Sequence, residues 1–202
     1  MKKMNVFKKD NLKEQKKLYL LLIGLALISF IFGIIFIFFI SKDNVSLINK
    51  EIEEYFLSSN KDYLGLFLKA LFNNFIYILI VWLFGISIFG VLISIIIMMF
   101  KSFLFGFSFI SIISTYGFKG LLIALFHMFP HQLIFLVILL LVTFYASSFS
   151  LKLFKHLFLK RPINFRDAMN KYLKILFFSL VVSLFISLYD GFISNFLVNL
   201  FN

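Results

Sequence analysis

Two histidines, His127 and His131, have the spacing in this sequence that is best suited to chemistry. Residues four apart lie on the same face of a helix, where two imidazoles can bind one metal ion. Pro130 lies between them and removes a backbone donor, so the sequence predicts that the helix breaks before His131. No Glu follows His127 and no third ligand is near, which favours a structural role for both histidines. No metal site and no cofactor are predicted.

Asp190 is the only acidic residue within the long apolar stretches that are predicted to span the membrane. It follows Lys174 by roughly 24 Å along a helix, so we expect it near one end of that helix. An interfacial or helix-packing role is favoured over a functional charge, because no second acid is placed to form a relay with it. The sequence contains no glycine-rich phosphate loop, no nucleophile elbow and no cysteine. The chain is therefore predicted not to be an enzyme.

The composition shows what kind of molecule must position these residues. Hydrophobic residues make up 62% of the chain, charged residues make up 14%, and the mean hydropathy is +1.03. Soluble domains are about 45–50% apolar and about 25% charged. A soluble enzyme, a nucleic-acid-binding module and a disordered protein are all disfavoured. The sequence predicts an integral membrane protein whose partner is membrane lipid, and no nucleic acid.

The predicted fold is an all-α integral membrane protein with five transmembrane helices, one half-length re-entrant helix and one amphipathic extracytoplasmic helix. A span needs about 20 apolar residues, and the ten residues before Pro130 reach roughly 15 Å, half of a bilayer. The single membrane domain, 1–202, divides into a basic tail (1–17), span 1 (18–40), an outer loop (41–69), span 2 (70–100), span 3 (102–116), the half-length helix (120–129), span 4 (131–151), a basic segment (152–174) and span 5 (175–200).

The clustering of the basic residues predicts the orientation. Most of the 20 Lys and Arg lie in 1–17 and 152–174, whereas the loop 41–69 has four Lys and five acids. Basic segments stay in the cytoplasm by the positive-inside rule. We therefore predict a cytoplasmic N-terminus and an extracytoplasmic C-terminus, with Lys101 at the cytoplasmic end of span 2.

The outer loop contains apolar residues at helical spacing, including Ile52, Tyr55 and Phe56, with acidic residues between them. This pattern predicts an amphipathic helix that lies on the outer leaflet. The same three residues are candidates for docking an extracytoplasmic partner.

Small residues recur along two of the predicted spans and are candidates for helix packing. Small side chains let helices approach closely in lipid. Packing within the five-helix bundle is favoured over association with another membrane protein. The candidates are Ser87, Gly90 and Ser94 in span 2 and Ser179, Ser183 and Ser187 in span 5.

Several strings, taken in order, resemble the stage II sporulation protein M family, and together they cover nearly the whole chain. Where the broader family often has a Glu and then a Pro after its Pro-His turn, this chain has Phe135 and Val137, which favours the sporulation branch. The matching strings are Trp82-Leu83-Phe84-Gly85-Ile86-Ser87-Ile88-Phe89-Gly90, Lys101 with Gly106-Phe107, Phe129-Pro130-His131, Ser150-Leu151-Lys152-Leu153 and Leu157-Phe158-Leu159-Lys160-Arg161.

The resemblance implies a non-enzymatic scaffold of endospore formation in the bacterial cell membrane. Such a scaffold would hold two peptidoglycan-degrading partners, stage II sporulation proteins D and P, at the septum during engulfment. A permease-like subunit or small transporter is the alternative, suggested by the half-length segment and the nearby histidines. A membrane enzyme is the least supported class.

Overall fold

The computed structural model describes residues 2–57, 63–160 and 164–194, and every element in these ranges is helical. This confirms the all-helical class. The helices are α1 (Lys2–Phe36, followed by a 3₁₀ turn, Ile37–Phe39), α2 (Lys42–Leu57), α3 (Tyr63–Gly85), α4 (Gly90–Ile123), α5 (Phe129–Leu159) and α6 (Phe165–Leu188), with π-helical turns at Ala124–Met128 and Tyr189–Ser194.

Four helical stretches in the described residues are long and apolar enough to cross a membrane: Glu14–Phe39, Tyr63–Gly85, Gly90–Leu159 and Phe165–Phe192. The third is 70 residues long, because α4, the first π-helical turn and α5 follow one another without a gap. The lipid-facing surface is rich in exposed Phe and Leu, as expected where the surrounding solvent is hydrocarbon. A multi-pass membrane protein is thereby confirmed.

Contacts between helices give their relative directions. The Ser102 hydroxyl of α4 donates to the Ala26 carbonyl of α1, and Gly106 lies against Phe30. The second contact is four residues further along both helices, so α4 runs parallel to α1. α5 runs antiparallel to α4, since the Phe129 ring lies 5.8 Å from that of Phe105, while α5 packs against the beginning of α4 further along its length.

α6 runs antiparallel to α3. The Tyr172 hydroxyl donates to the Trp82 carbonyl at 2.7 Å, near the end of α3, and Asn74 donates to the Ser187 hydroxyl at 3.1 Å. The helices α1, α4 and α6 therefore run in one direction, while α3 and α5 run in the other.

The uninterrupted helix expected over 70–100 is divided by a turn between α3 and α4. Residues 86–89 form this turn, and Gly90 packs so close to the Phe84 carbonyl that a Cβ would clash with it. The Ser150 hydroxyl of α5 donates to the carbonyls of Ser87 (2.6 Å) and Ile88 (3.0 Å). Backbone carbonyls in an apolar region need such partners. Because the turn contains no charged residue and no proline, the sequence gives no sign of it.

Lys101 consequently lies within α4 and not at the end of a span. It is roughly 16 Å along the helix from Gly90. Its side chain is buried, with 7% of the residue exposed. The predicted boundaries of spans 2 and 3 are both shifted by this change, because α4 runs through Lys101 without a break up to Gly117.

The chain reverses at Gly117, whose φ of 59° and ψ of −130° are not helical. Only glycine adopts such a conformation without strain. Gly120 then packs on the Ile112 carbonyl, so residues 118–123, the last part of α4, fold back beside the residues that precede Gly117. A separate half-length helix over 120–129 is not observed, since this segment passes through the π-helical turn directly into α5.

α1 and α4 pack closely against each other at two glycines. A Cβ on Gly33 would clash with the Phe103 carbonyl, and a Cβ on Gly106 would clash with the Phe30 carbonyl. The two backbones touch because both positions lack a side chain, as expected of helix packing in membranes.

The predicted basic segments lie mainly on helix ends. α1 includes residues of the basic tail, α5 continues to Leu159, and Lys155 of α5 forms an ion pair with Glu14 of α1 at 2.8 Å. These two basic regions therefore meet at one end of the bundle. Residues 161–163 and 195–202, and with them Arg161 and the end of predicted span 5, lie outside the described residues.

Candidate functional site

The start of α5, just after the first π-helical turn, meets the second π-helical turn at a His131–Asp190 pair. The Nε2 atom of His131 lies 3.4 Å from Oδ1 of Asp190, and the Nδ1 atom lies 2.9 Å from the His127 carbonyl oxygen. His131 is 6% exposed, whereas the Asp190 side chain is 29% exposed. π-helical turns are rare and often occur at functional sites. The structure thus pairs Asp190 with His131, which lies 59 positions earlier in the sequence.

The predicted helix break at Pro130 is wrong, because the chain stays helical through both histidines. Pro130 lies in the first turn of α5, where its missing N–H is tolerated. The π-helical turn before it absorbs the change in geometry. The Phe126 carbonyl, four residues before Pro130, accepts a hydrogen bond from the Tyr189 hydroxyl at 3.0 Å. This bond ties the second π-helical turn to the first and holds Asp190 beside His131.

Lys101 adds a buried cation to the same region. Its Nζ lies 4.9 Å from the ring centre of Tyr77 and 5.2 Å from that of Phe135. Two aromatic faces therefore stabilise its charge. Asp190 and Lys101 also interact electrostatically. Buried charges within membrane helices mark functional sites by default, because their desolvation is costly.

A cavity of about 440 Å³ opens beside the His131–Asp190 pair. Its walls come from α4 (Ser108 and Ser111), from the first π-helical turn (His127) and from α5 (Gln132). Ile48, Glu51 and Ile52 of α2 form its roof. We call this space the roofed cavity; it combines imidazole, carboxylate, amide and hydroxyl groups with apolar side chains.

α2 is held on the bundle as a roof. Thr115 donates to the Asn49 side chain at 3.0 Å, and Ile52 packs against the cluster that contains Phe105 and Ile112. Ile52, a docking candidate, therefore packs against α4 of its own chain. The other two docking candidates, Tyr55 and Phe56, lie in α2, but their side chains are outside the described part of the structure.

The packing candidates lie in two environments. Ser94, Ser179, Ser183 and Ser187 are 0% exposed, and Ser94 donates to the Val81 carbonyl of α3 at 3.3 Å. Gly90 and Ser87 instead belong to the α3–α4 turn. Ser87 is exposed there, and its hydroxyl accepts from the Phe89 N–H.

The predicted position of Lys101 is wrong: Lys101 separates two uncharged stretches, which predicts the end of a span, but it lies within α4. A usable signal exists in hindsight: Ser94, Lys101 and Ser108 are seven residues apart, so on one continuous helix they share a face. In the described residues no three His, Asp or Glu side chains are grouped as a metal site requires.

Comparison with known proteins gives one family. Residues 26–195 match the sequence profile of stage II sporulation protein M, which covers most of the chain and every element around the roofed cavity. A search of curated proteins and a search of solved structures found no match. The profile match confirms the resemblance read from the local strings. The chain belongs to the stage II sporulation protein M family, and is a sporulation-related membrane protein.

Proposed function

We propose that this protein is a non-enzymatic membrane scaffold of endospore formation, which holds two peptidoglycan-degrading partners at the septum during engulfment. The family match over residues 26–195 carries this proposal. The partners are stage II sporulation proteins D and P, by what the family resemblance implies. A scaffold acts through contact, so it needs a surface and no catalytic group.

The proposed topology has five crossings, with the N-terminus in the cytoplasm and the C-terminus outside. α1, α3, α4, α5 and α6 each make one crossing, and the reversal at Gly117 lets the long α4–α5 stretch cross twice. The alternation of helix directions supports this count. The ion pair of Lys155 with Glu14 supports placing both basic regions on the cytoplasmic face.

In this topology α2 faces the cell wall and is the proposed docking element. Its apolar side packs on the bundle, while Lys50, Glu53 and Glu54 are exposed, and Lys50 and Glu54 are 3.9 Å apart. We therefore assign anchoring of α2 to Ile52 and partner contact to the charged face. Rim charges of this kind steer association and select partners.

Co-purification from sporulating cells tests the scaffold. A Glu53→Lys, Glu54→Lys double variant should lose wall-degrading partners while it accumulates normally in the membrane. Asp43→Lys, at the other end of the same helix, is the matched control and should keep them. Normal partner recovery from the double variant would reject α2 as the docking element, and purified protein that cleaves peptidoglycan would reject the scaffold itself.

The roofed cavity and buried Lys101 favour a second candidate, a permease-like subunit or small transporter. Polar groups that converge on a cavity between membrane helices are the usual substrate environment in transporters. Solute uptake into sealed vesicles discriminates the two. Transport that is lost in Lys101→Met at equal protein content would establish the second candidate, and absence of uptake for amino acids, sugars and ions would leave the scaffold.

A further inference from the structure

The contacts of His131 define which of its nitrogens faces the roofed cavity as an acceptor. The Nδ1 atom lies 2.9 Å from the His127 carbonyl oxygen. A carbonyl oxygen only accepts, so Nδ1 carries the proton, and the tautomer is assigned from this contact. In a neutral ring Nε2 then has a lone pair. It faces Oδ1 of Asp190 at 3.4 Å. Two acceptors at this separation are stabilised by a cation that lies beside them and donates a hydrogen bond to each.

Two further groups of the lining, Ser111 and Glu51, offer acceptors. The Ser111 hydroxyl donates to the Phe107 carbonyl at 2.8 Å. Its remaining capacity is therefore to accept. Glu51 adds a carboxylate from the roof. Asp190 and Glu51 thus bring two carboxylates to the lining, whereas Lys101 lies outside it. The lining therefore favours a ligand that donates hydrogen bonds and carries one positive charge.

We propose that the roofed cavity binds a primary ammonium group. The ammonium donates to Nε2 of His131 and to Oδ1 of Asp190, and its alkyl chain lies against Ile48 and Met128. Charge-assisted hydrogen bonds of this type are the strong ones. A cavity of about 440 Å³ lies in the range of small-molecule sites and holds an amine of amino-acid size. This inference concerns the cavity and does not depend on the scaffold function.

Two sources offer this chemistry: a free alkylamine, and a lysine side chain of a polypeptide. The partial exposure of Asp190 gives either one access to the pair. Two probes represent them, butylamine for the free amine and Nα-acetyl-lysine methylamide for the polypeptide. Nα,Nε-diacetyl-lysine methylamide has the same shape without the charge and serves as the control ligand.

Binding is measured by titration calorimetry on the full chain in nanodiscs of phosphatidylglycerol, a lipid without an amine. The proposal expects saturable binding of both amines and none of the diacetyl control. Asp190→Asn should weaken the affinity at least about ten-fold, because the acceptor oxygen remains but its negative charge is lost. Tighter binding of the lysine derivative indicates a polypeptide source, and equal affinities indicate a free amine.

A matched pair on α2 keeps the test independent of folding defects at Asp190. Glu51→Gln removes the carboxylate of the roof and should weaken amine binding several-fold, whereas Glu53→Gln alters a neighbouring exposed carboxylate and should leave it unchanged. Equal affinities of these two variants would overturn the proposal. The absence of saturable binding would also overturn it, because the His131–Asp190 pair would then hold only a proton. Equal binding of the diacetyl control would overturn it as well.

Discussion

The contact between α1 and α4 makes a sharp prediction about Gly33. A Cβ at this position would overlap the Phe103 carbonyl and lie 2.9 Å from the Phe107 backbone nitrogen. Backbone atoms cannot rotate away as a side chain can, so Gly33→Ala must move one helix relative to the other. Gly24, on the same helix, is the matched control because a Cβ there would meet nothing within 4 Å.

Three terms determine the size of the effect. Overpacking costs about 1–3 kcal/mol. Separation of the helices also weakens the hydrogen bond from Ser102 to the Ala26 carbonyl, which is 2.6 Å long. Such bonds contribute about 0.6 kcal/mol in membranes. Alanine is better than glycine in a helix by up to about 1 kcal/mol. Gly33→Ala should therefore lower the free energy of unfolding by about 1–2 kcal/mol, and Gly24→Ala should leave it equal or raise it.

The assay is reversible unfolding of the purified chain in mixed micelles with increasing dodecyl sulfate. Gly106→Ala, which introduces a Cβ from the opposite helix, should give a similar loss. The double variant should lose less than the two single losses together, because helices already moved apart leave room for the second methyl group. If Gly33→Ala proves as stable as Gly24→Ala, the close contact of α1 with α4 is not present in the membrane.

Three further outcomes are expected. Tyr172→Phe removes the hydrogen bond to the Trp82 carbonyl. It should lower stability by about 0.6 kcal/mol in the same micelle assay, the average for such bonds in membranes, and a wild-type value would contradict that bond. Ser183→Leu should prevent accumulation of the folded chain because Ser183 is 0% exposed. Ser183→Ala should be tolerated, and equal behaviour of the two variants on size-exclusion chromatography would place this face toward lipid. In this cysteine-free chain, Asn44→Cys should react with a membrane-impermeant thiol reagent applied to intact cells and His156→Cys should not, and labelling of the latter would refute the proposed topology.

Properties that depend on composition, segment length and local residue spacing were predictable from the sequence. Apolar content and segment length require a helical membrane protein, because a chain in hydrocarbon must satisfy its backbone hydrogen bonds internally. A helix within the loop 41–69 was likewise predictable from the spacing of Ile48 and Ile52. The strings around Trp82 and Phe129 identified the family before any contact was known.

Where the helices end depended on tertiary contacts. The turn between α3 and α4 occurs in an uncharged stretch because Ser150, from a distant helix, donates to its carbonyls. Pro130 remains helical because Tyr189, 59 positions later in the sequence, donates to the Phe126 carbonyl that Pro130 cannot serve.

The candidate site shows the same division most clearly. His131 and Asp190 were both singled out from the sequence, yet their pairing required α5 and the end of α6 to meet. Lys101 changed from the end of a span to a buried cation once α4 was continuous through it. Residue type and local spacing determine what a side chain can do. Which groups share a low-dielectric space depends on long-range packing, and for a charge in a membrane that neighbourhood decides its energy.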